Sequence, residues 1–415
     1  MLLFVIVVLV WYFVYAKPVI APKLNETNNP FPTNTLPPRS QFINWGGETS
    51  TTTTEVTDPL LYPLVKVWDK PATGQTFILQ NILKDIFATT TQGTTTVVIK
   101  KTIRATSTVL VFVDRATGYI YGFSIETGKP FQISNTIIPG VHDAYFFDGG
   151  RRVIMRYQDK NKIVSIVATV PSVEDNEMAL PLQQIQYLPG EVTSVASNNK
   201  TGKASYLTEG DKGSSVYTLT KNGGALIASS PFKEWSLSYG GDSLYVTSKP
   251  SAYVTGGTFS IPSFQPEIND KTGLLTNPGS NNTMLNSMWG PQGLVTFISV
   301  NGDTKIISAR TLASKCGWGE KNFLVCAVPR TLPKTTEGLP DDWFQGRVSF
   351  SDDFFIINTR DGEKYPLYSF KDADGVFDVT QVSVEKNNDY FSFNKKQDAS
   401  LWLLNLTLLG GDDGN

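Results

Sequence analysis

Between His142 and Thr169 the chain reads HDAYFFDGGRRVIMRYQDKNKIVSIVAT, three short apolar runs separated by two polar turns. The run 144–147 stops at Asp148-Gly149-Gly150, where glycine supplies the positive φ that a hairpin turn needs. Val153-Ile154-Met155 and residues 163–167 are nearly continuous apolar stretches rich in β-branched side chains. Without a clean alternation they predict strands covered on both faces, as when one small sheet is sandwiched between two others. Runs this short, cut by Gly-Gly, cannot make a buried helix.

Comparable units recur on both sides of this template. Residues 109–113 and 119–125 form a hairpin, with 131–133 outside it. The template itself gains 184–188 as an outer strand. Residues 192–196, 204–208, 216–220 and 226–228 make a complete set of four. Another set comprises 235–239, 244–247, 253–261 and 274–276. Residues 284–289, 294–300 and 305–309 make a fifth unit whose outer strand stays unassigned. A sixth opens with 316–318 and 323–328, is interrupted by an insertion over 329–348, and resumes at 354–358 and 367–370. Residues 377–384, 390–393 and 401–406 form a seventh with three strands only. Spacing is irregular, so the repeat is degenerate and lacks a WD40 signature. Four-stranded units repeated in this way predict an all-β, seven-bladed β-propeller. The isolated strand 64–68, LVKVW, has no partner nearby, and the seventh unit lacks an outer strand. Pairing the two hides two open edges at once, so a ring closed by its N-terminal strand is expected.

Composition supports strands over helices: 34 Gly, 24 Pro and only 18% charged residues. A net charge of −2 without a basic block leaves no electrostatic footprint for nucleic acid. Residues 2–16, LLFVIVVLVWYFVYA, are unbroken apolar sequence, about 22 Å as a helix against a hydrocarbon core of roughly 30 Å. Two readings stay open for 1–22. One is a signal anchor with Trp11, Tyr12, Phe13 and Tyr15 at the interface, and the other a signal peptide cleaved after Ala16. Residues 23–59 read as a Thr/Pro/Asn-rich linker, 60–409 as the propeller and 410–415 as a polar tail. The expected location is the cell membrane, single-pass, with the propeller on the extracytoplasmic side, or secretion if the segment is removed.

Five stretches carry a family likeness: Val67-Trp68-Asp69-Lys70-Pro71, Asp114-Arg115-Ala116-Thr117-Gly118-Tyr119-Ile120-Tyr121, Lys315-Cys316-Gly317-Trp318, Cys326-Ala327-Val328-Pro329-Arg330 and Asp341-Asp342-Trp343-Phe344. In these the chain resembles TolB-type and WD40-like propellers, in particular uncharacterised, exported, membrane-anchored bacterial ones. The resemblance spans about residues 60–408, implies fold and topology, and assigns no ligand. The per-blade Ser-Pro-Asp-Gly turns of TolB itself are mostly absent.

Few residues invite chemistry. Cys316 and Cys326 fall on adjacent antiparallel strands, where opposed Cβ atoms approach to about 4.5–5.5 Å, so a disulfide is expected alongside the alternative of two buried thiols. Asp372, Asp374 and Asp378 in KDADGVFD place oxygen ligands on a glycine-bent loop, a calcium candidate set against an ordinary turn. His142, the one histidine, could serve as a general base, set against a structural or surface residue at a strand start beside Asp143, and no recognisable nucleophile, phosphate loop or metal-ligand cluster occurs in the sequence. The insertion holds Asp341, Asp342, Trp343, Phe344 and Arg347, the expected ligand- or partner-binding region. Paired acids beside an aromatic also fit sugar binding or hydrolysis. Sequons stand at Asn25, Asn199, Asn281 and Asn405. No catalytic residue and no cofactor beyond calcium is indicated. A tethered scaffold binding a protein or envelope component is the leading expectation. A glycan- or peptide-acting hydrolase and an assembly factor of a surface machine are the alternatives.

Overall fold

The computed structural model describes residues 62–409 apart from 93–94, 174–176, 222, 321–322 and 372–374, and the backbone alone for 82–102. The expected hydrophobic segment, the linker before residue 60 and the polar tail lie outside the described residues. Among the described residues no helix is long and apolar enough to cross a membrane.

Among the described residues, twenty-eight strands make seven antiparallel sheets of four. The first strand, β1 (Leu64–Trp68), belongs to the last sheet. Blade one is β2 (Ala72–Gln92), β3 (Thr95–Asp114), β4 (Ile120–Ser124) and β5 (Lys129–Gln132). Blade two is β6 (Val141–Phe147), β7 (Arg152–Asp159), β8 (Lys162–Thr169) and β9 (Gln183–Tyr187). Blade three is β10 (Val192–Asn198), β11 (Lys203–Gly210), β12 (Gly213–Thr220) and β13 (Gly223–Ser230). Blade four is β14 (Trp235–Gly240), β15 (Ser243–Ser248), β16 (Thr255–Ile261) and β17 (Gln265–Thr272). Blade five is β18 (Leu275–Pro278), β19 (Thr283–Gly290), β20 (Gly293–Val300) and β21 (Asp303–Ile306). Blade six is β22 (Cys316–Trp318), β23 (Leu324–Pro329), β24 (Asp352–Ile357) and β25 (Lys364–Tyr368). Blade seven has the order β1-β28-β27-β26, built from β26 (Val379–Val384), β27 (Tyr390–Lys395) and β28 (Leu401–Asn405), with Leu64 opposite Leu404 and Lys66 opposite Trp402.

Second and third strands are the buried ones, and this is why their sequences lack alternation. In blade two Val153, Ile154 and Met155 are fully buried, with Val153 and Met155 packing toward blade one and Ile154 toward blade three. Where blade seven meets blade one, Trp68 lies 4.5 Å from Tyr121 and 5.4 Å from Phe112 between ring centroids. The Trp68 indole donates to Asp114 Oδ2 at 3.1 Å, and Asp114 Oδ1 accepts from the Ala116 and Thr117 N–H groups. Two of the motif stretches quoted above are thus one interlocked joint. Blades six and seven share a layer of Phe354, Phe370, Phe377, Phe391 and Phe393, each buried. Burying such side chains contributes about 1.5–3 kcal/mol apiece relative to leaving them exposed.

Three strand expectations need correction. Blade one has a first strand, β2, which the Thr-, Gln- and Asn-rich sequence before residue 94 concealed. The outer strand of blade four is β17, QPEINDKT, in which Ile268 alone is buried; residues near 274–276, assigned there from sequence, open blade five as β18 instead. Blade five consequently shifts by one strand, and 284–289 is its second member. The outer strand of that blade, β21, is exposed at every residue and so leaves no hydrophobic signal to read.

Candidate functional site

In an up-and-down blade the starts of the first and third strands lie at one end. The loops joining blades and the loops between second and third strands therefore share one face of the ring. The insertion between β23 and β24 lies on that face. Its short helix α1 (Asp341–Phe344) follows Pro340, and the segment is ordered from within by its own acids. The carboxylate of Asp342, fully buried, accepts at Oδ2 from the N–H groups of Thr336 at 2.6 Å, Glu337 at 3.0 Å and Gly338 at 3.4 Å. Three successive N–H donors aimed at one oxygen form an anion nest. Arg347 donates to Asp342 Oδ1 and pairs with Glu337. Burial is the largest influence on Asp342 and raises its pKa. The backbone donors and Arg347 together outweigh it and hold the carboxyl below its ordinary value. Asp341 accepts from the Ala252 N–H at 2.5 Å, tying the insertion to the loop between β15 and β16 of blade four.

Beneath α1 lies a buried charge cluster that sequence reading did not anticipate. Lys315 Nζ donates to Asp352 Oδ2 at 2.6 Å and Asp378 Oδ1 at 2.5 Å, and all three side chains have 0% exposure. The ammonium lies 4.6 Å from the Phe350 ring centroid and 5.2 Å from that of Trp343. Asp378 also accepts from Trp343 Nε1, Ser349 Oγ and the Phe350 N–H. Lys396 approaches from the rim, its Nζ 4.1 Å from the Trp343 ring centroid and donating to the Trp343 carbonyl. Burial pushes the Asp352 carboxyl up despite the opposing Lys315, and burial lowers Lys396 despite the opposing Asp378. The cluster joins the entry to β22, the start of β24 and the entry to β26, so it fastens the insertion across blades six and seven. The signal available in the sequence was a lysine immediately before an apolar inner strand, too common to single out.

The residues proposed from sequence therefore divide. Asp341, Asp342 and Trp343 point inward, and both carboxylates are engaged by backbone N–H groups, which is anchoring chemistry. Phe344 (55% exposed) stays at the surface, as does Arg347. Across the Asp341–Ala252 link lie Tyr253 and Val254, 67% and 66% exposed. Asp372 and Asp374 lie outside the described residues, and the oxygens of Asp378 are taken by Lys315, Trp343, Ser349 and Phe350. Among the described residues no group of three or more His, Cys, Asp or Glu side chains is placed to hold a metal. His142 shares Asp143 with the buried Arg156, at 3.0 and 2.8 Å, a structural hydrogen-bond network on blade two.

Cys316 and Cys326 form a disulfide directly across β22 and β23. It braces the inner edge of blade six, where Gly317 has no side chain because a Cβ there would lie 2.6 Å from Val384 Cγ2 of β26. A cavity of about 480 Å³ runs along the inner strands, lined by Ser238, Thr276, Asn277, Trp318 and Gln381 among others.

No family model matches the chain, and no curated protein matches it. Among solved structures it is similar to the Myceliophteria thermophila Cps50 (Swd1) β-propeller domain, at 8% identity and a TM-score of 0.43 over 71% of this chain and 92% of that one. It is also similar to Kuenenia stuttgartiensis hydrazine synthase, at 12% identity and a TM-score of 0.42 over 66% and 80%. The strand order decides the architecture without them. This chain is a seven-bladed β-propeller.

Proposed function

We propose that the protein is a partner-binding propeller, tethered outside the cytoplasm by its N-terminal hydrophobic segment, and that a protein or envelope component seats on the insertion face over blades four to six. Pairing of β1 with β28 serves in this reading as the clasp of the ring, keeping that face rigid. The observation that carries the proposal is the division within the insertion. Its acids and its tryptophan are consumed by anchoring, while Phe344 of the insertion and Tyr253 and Val254, which follow the Ala252 that Asp341 holds, remain exposed. Exposed aromatic anchors rimmed by polar groups are the features that partner surfaces concentrate. A rigid cap presenting them limits the ordering cost of association.

The test is site-specific photocrosslinking in intact cells. A photoreactive residue at Phe344 or Tyr253 is expected to give one recurrent adduct that the same residue at Ile306, exposed on an outer strand, does not give. With the photoreactive residue moved to Val254, Phe344→Ser with Tyr253→Ser should abolish the adduct without moving the melting temperature. Adducts equally abundant from Ile306 would refute the proposed face, and a propeller digested by protease only after cell lysis would refute the location.

A further inference from the structure

The opposite face carries a feature that the partner reading leaves unused. From the pair Leu79–Thr108 to the pair Gln92–Thr95, β2 and β3 continue as a two-stranded arm of fourteen pairs. This is about 46 Å at roughly 3.3 Å per residue. The third strand of blade one, β4, pairs β3 only over Val109–Val113, and β2 stands at the end of its sheet. Along the arm, then, neither outer backbone edge has a strand partner among the described residues. No proline occurs between residues 72 and 108, so every backbone N–H on both edges is retained. A two-stranded ribbon is marginally stable alone, and long unblocked edges are what folded proteins ordinarily shorten or cover.

Two further observations say what fits there. Between residues 79 and 108 the sequence holds Lys84, Lys100, Lys101 and Arg104 against Asp85 alone, +3 within a chain of net −2. At the base of the arm a cavity of about 580 Å³ opens beside Phe77 and Leu79 of β2, with Trp318, Glu385, Lys386 and Lys200, itself paired with Glu320, on its other walls. Leu79 is 66% exposed beside it. We infer that the free edge of β2 is a strand-addition site for an extended, net-acidic segment of a partner protein. The added strand would take its affinity from main-chain hydrogen bonds along β2 and its selectivity from the positive charge of the arm. A second copy of this chain is the disfavoured occupant, because it would bring the same positive stretch against the first. This site is independent of the insertion face, and its failure leaves the proposal above untouched.

The probe is a fluorescent peptide of about fourteen residues, alternating Val with Glu and Thr, long enough to span the arm at roughly 3.3 Å per residue. Fluorescence anisotropy with the full chain is expected to show saturable binding that weakens with salt. Methylating alternate backbone nitrogens of the peptide should abolish it, and so should a Lys-for-Glu peptide. Lys84→Glu with Lys100→Glu and Lys101→Glu should weaken binding by about tenfold or more. Replacing residues 84–103 by Asn-Gly, which re-closes the hairpin after the Leu83–Arg104 pair, should remove it. If that shortened chain does not fold by circular dichroism, the triple charge variant decides. Absence of saturable binding, undiminished binding of the N-methylated peptide, or full binding by the charge variant would overturn the inference. Arm-dependent dimerisation in sedimentation without peptide binding would overturn it in favour of a second copy.

Discussion

Substituting Lys315 by Met isolates the energetics of the buried cluster. At an effective dielectric of about 20, an ammonium and a carboxylate at the separations found here attract by roughly 6 kcal/mol per pair. Removing each ion from water costs several kcal/mol, and Asp352 and Asp378 repel one another, so the intact trio nets little. Truncating the cation is a different operation. It leaves two carboxylates fully buried, with only Val379 N–H on Asp352 Oδ2 and no partner on Oδ1. Breaking such a pair costs about 3–5 kcal/mol. At about 2 °C per kcal/mol for a chain of this size the melting temperature should fall by about 6–10 °C. Adding Asp352→Asn and Asp378→Asn to Lys315→Met removes the uncompensated charge and should recover at least half of the loss. Differential scanning calorimetry of the single and triple variants, with amide exchange over α1 as the local readout, makes the comparison. A triple variant less stable than the single one would refute the argument, because the carboxylates would then be stabilising without their cation.

Other outcomes follow from the same structure. Closing a loop of sequence separation 10, the Cys316–Cys326 bond should contribute about 2.5–3 kcal/mol, read as lower stability of Cys316→Ala with Cys326→Ala or of reduced protein. Deleting residues 64–68 exposes β28 and removes the Trp68–Asp114 bond, and the melting temperature should drop; an unchanged value would show that β1 is no clasp. On the acid side the two carboxylates act with opposite sign. Asp342, with its pKa below the ordinary 3.8, supplies stability present above that value and lost as pH falls through the depressed one. Asp352, with its pKa raised, supplies stability complete below 3.8 and lost as pH rises through the raised value. Melting temperature against pH should therefore flatten at the acid end in Asp342→Asn and flatten above pH 3.8 in Asp352→Asn.

What was legible in the sequence tracks burial strand by strand. The template stretch is legible as blade two because β7 and β8 are apolar on both faces, as strands sandwiched between neighbouring blades must be. Strands that face solvent or the central cavity leave almost no hydrophobic pattern. That is why β17, QPEINDKT, was passed over, why β21, DTKI, was met only through 305–309 and not recognised as the outer strand, and why β18 was attached to the wrong blade. The arm was missed for a related reason. Its Thr- and Gln-rich turn region resembles the linker before it, and strand character there depends on cross-strand pairing that a linear reading does not register. The disulfide was legible because two cysteines on consecutive strands allow one register with both Cβ atoms opposed.

The insertion shows why the site was harder to read than the fold. Asp341-Asp342-Trp343 carries residue types that serve either catalysis or anchoring, and the choice is made by donors distant in sequence. Ala252 lies 89 residues from Asp341, Trp343 reaches Asp378 across 35, and Lys315 reaches it across 63. A segment with no regular sheet partner must satisfy its own backbone, and Asp342 does so by collecting three successive N–H groups on one buried carboxylate. Once its acids are committed in this way, the insertion presents to solvent only what anchoring did not require. In this molecule that remainder includes Phe344, and the loop that Asp341 holds through Ala252 adds Tyr253 and Val254. The consequence is a separation of effects: changes at Asp341 or Asp342 should unfold the cap before they alter partner specificity, whereas changes at Phe344 should alter recognition and leave the cap intact.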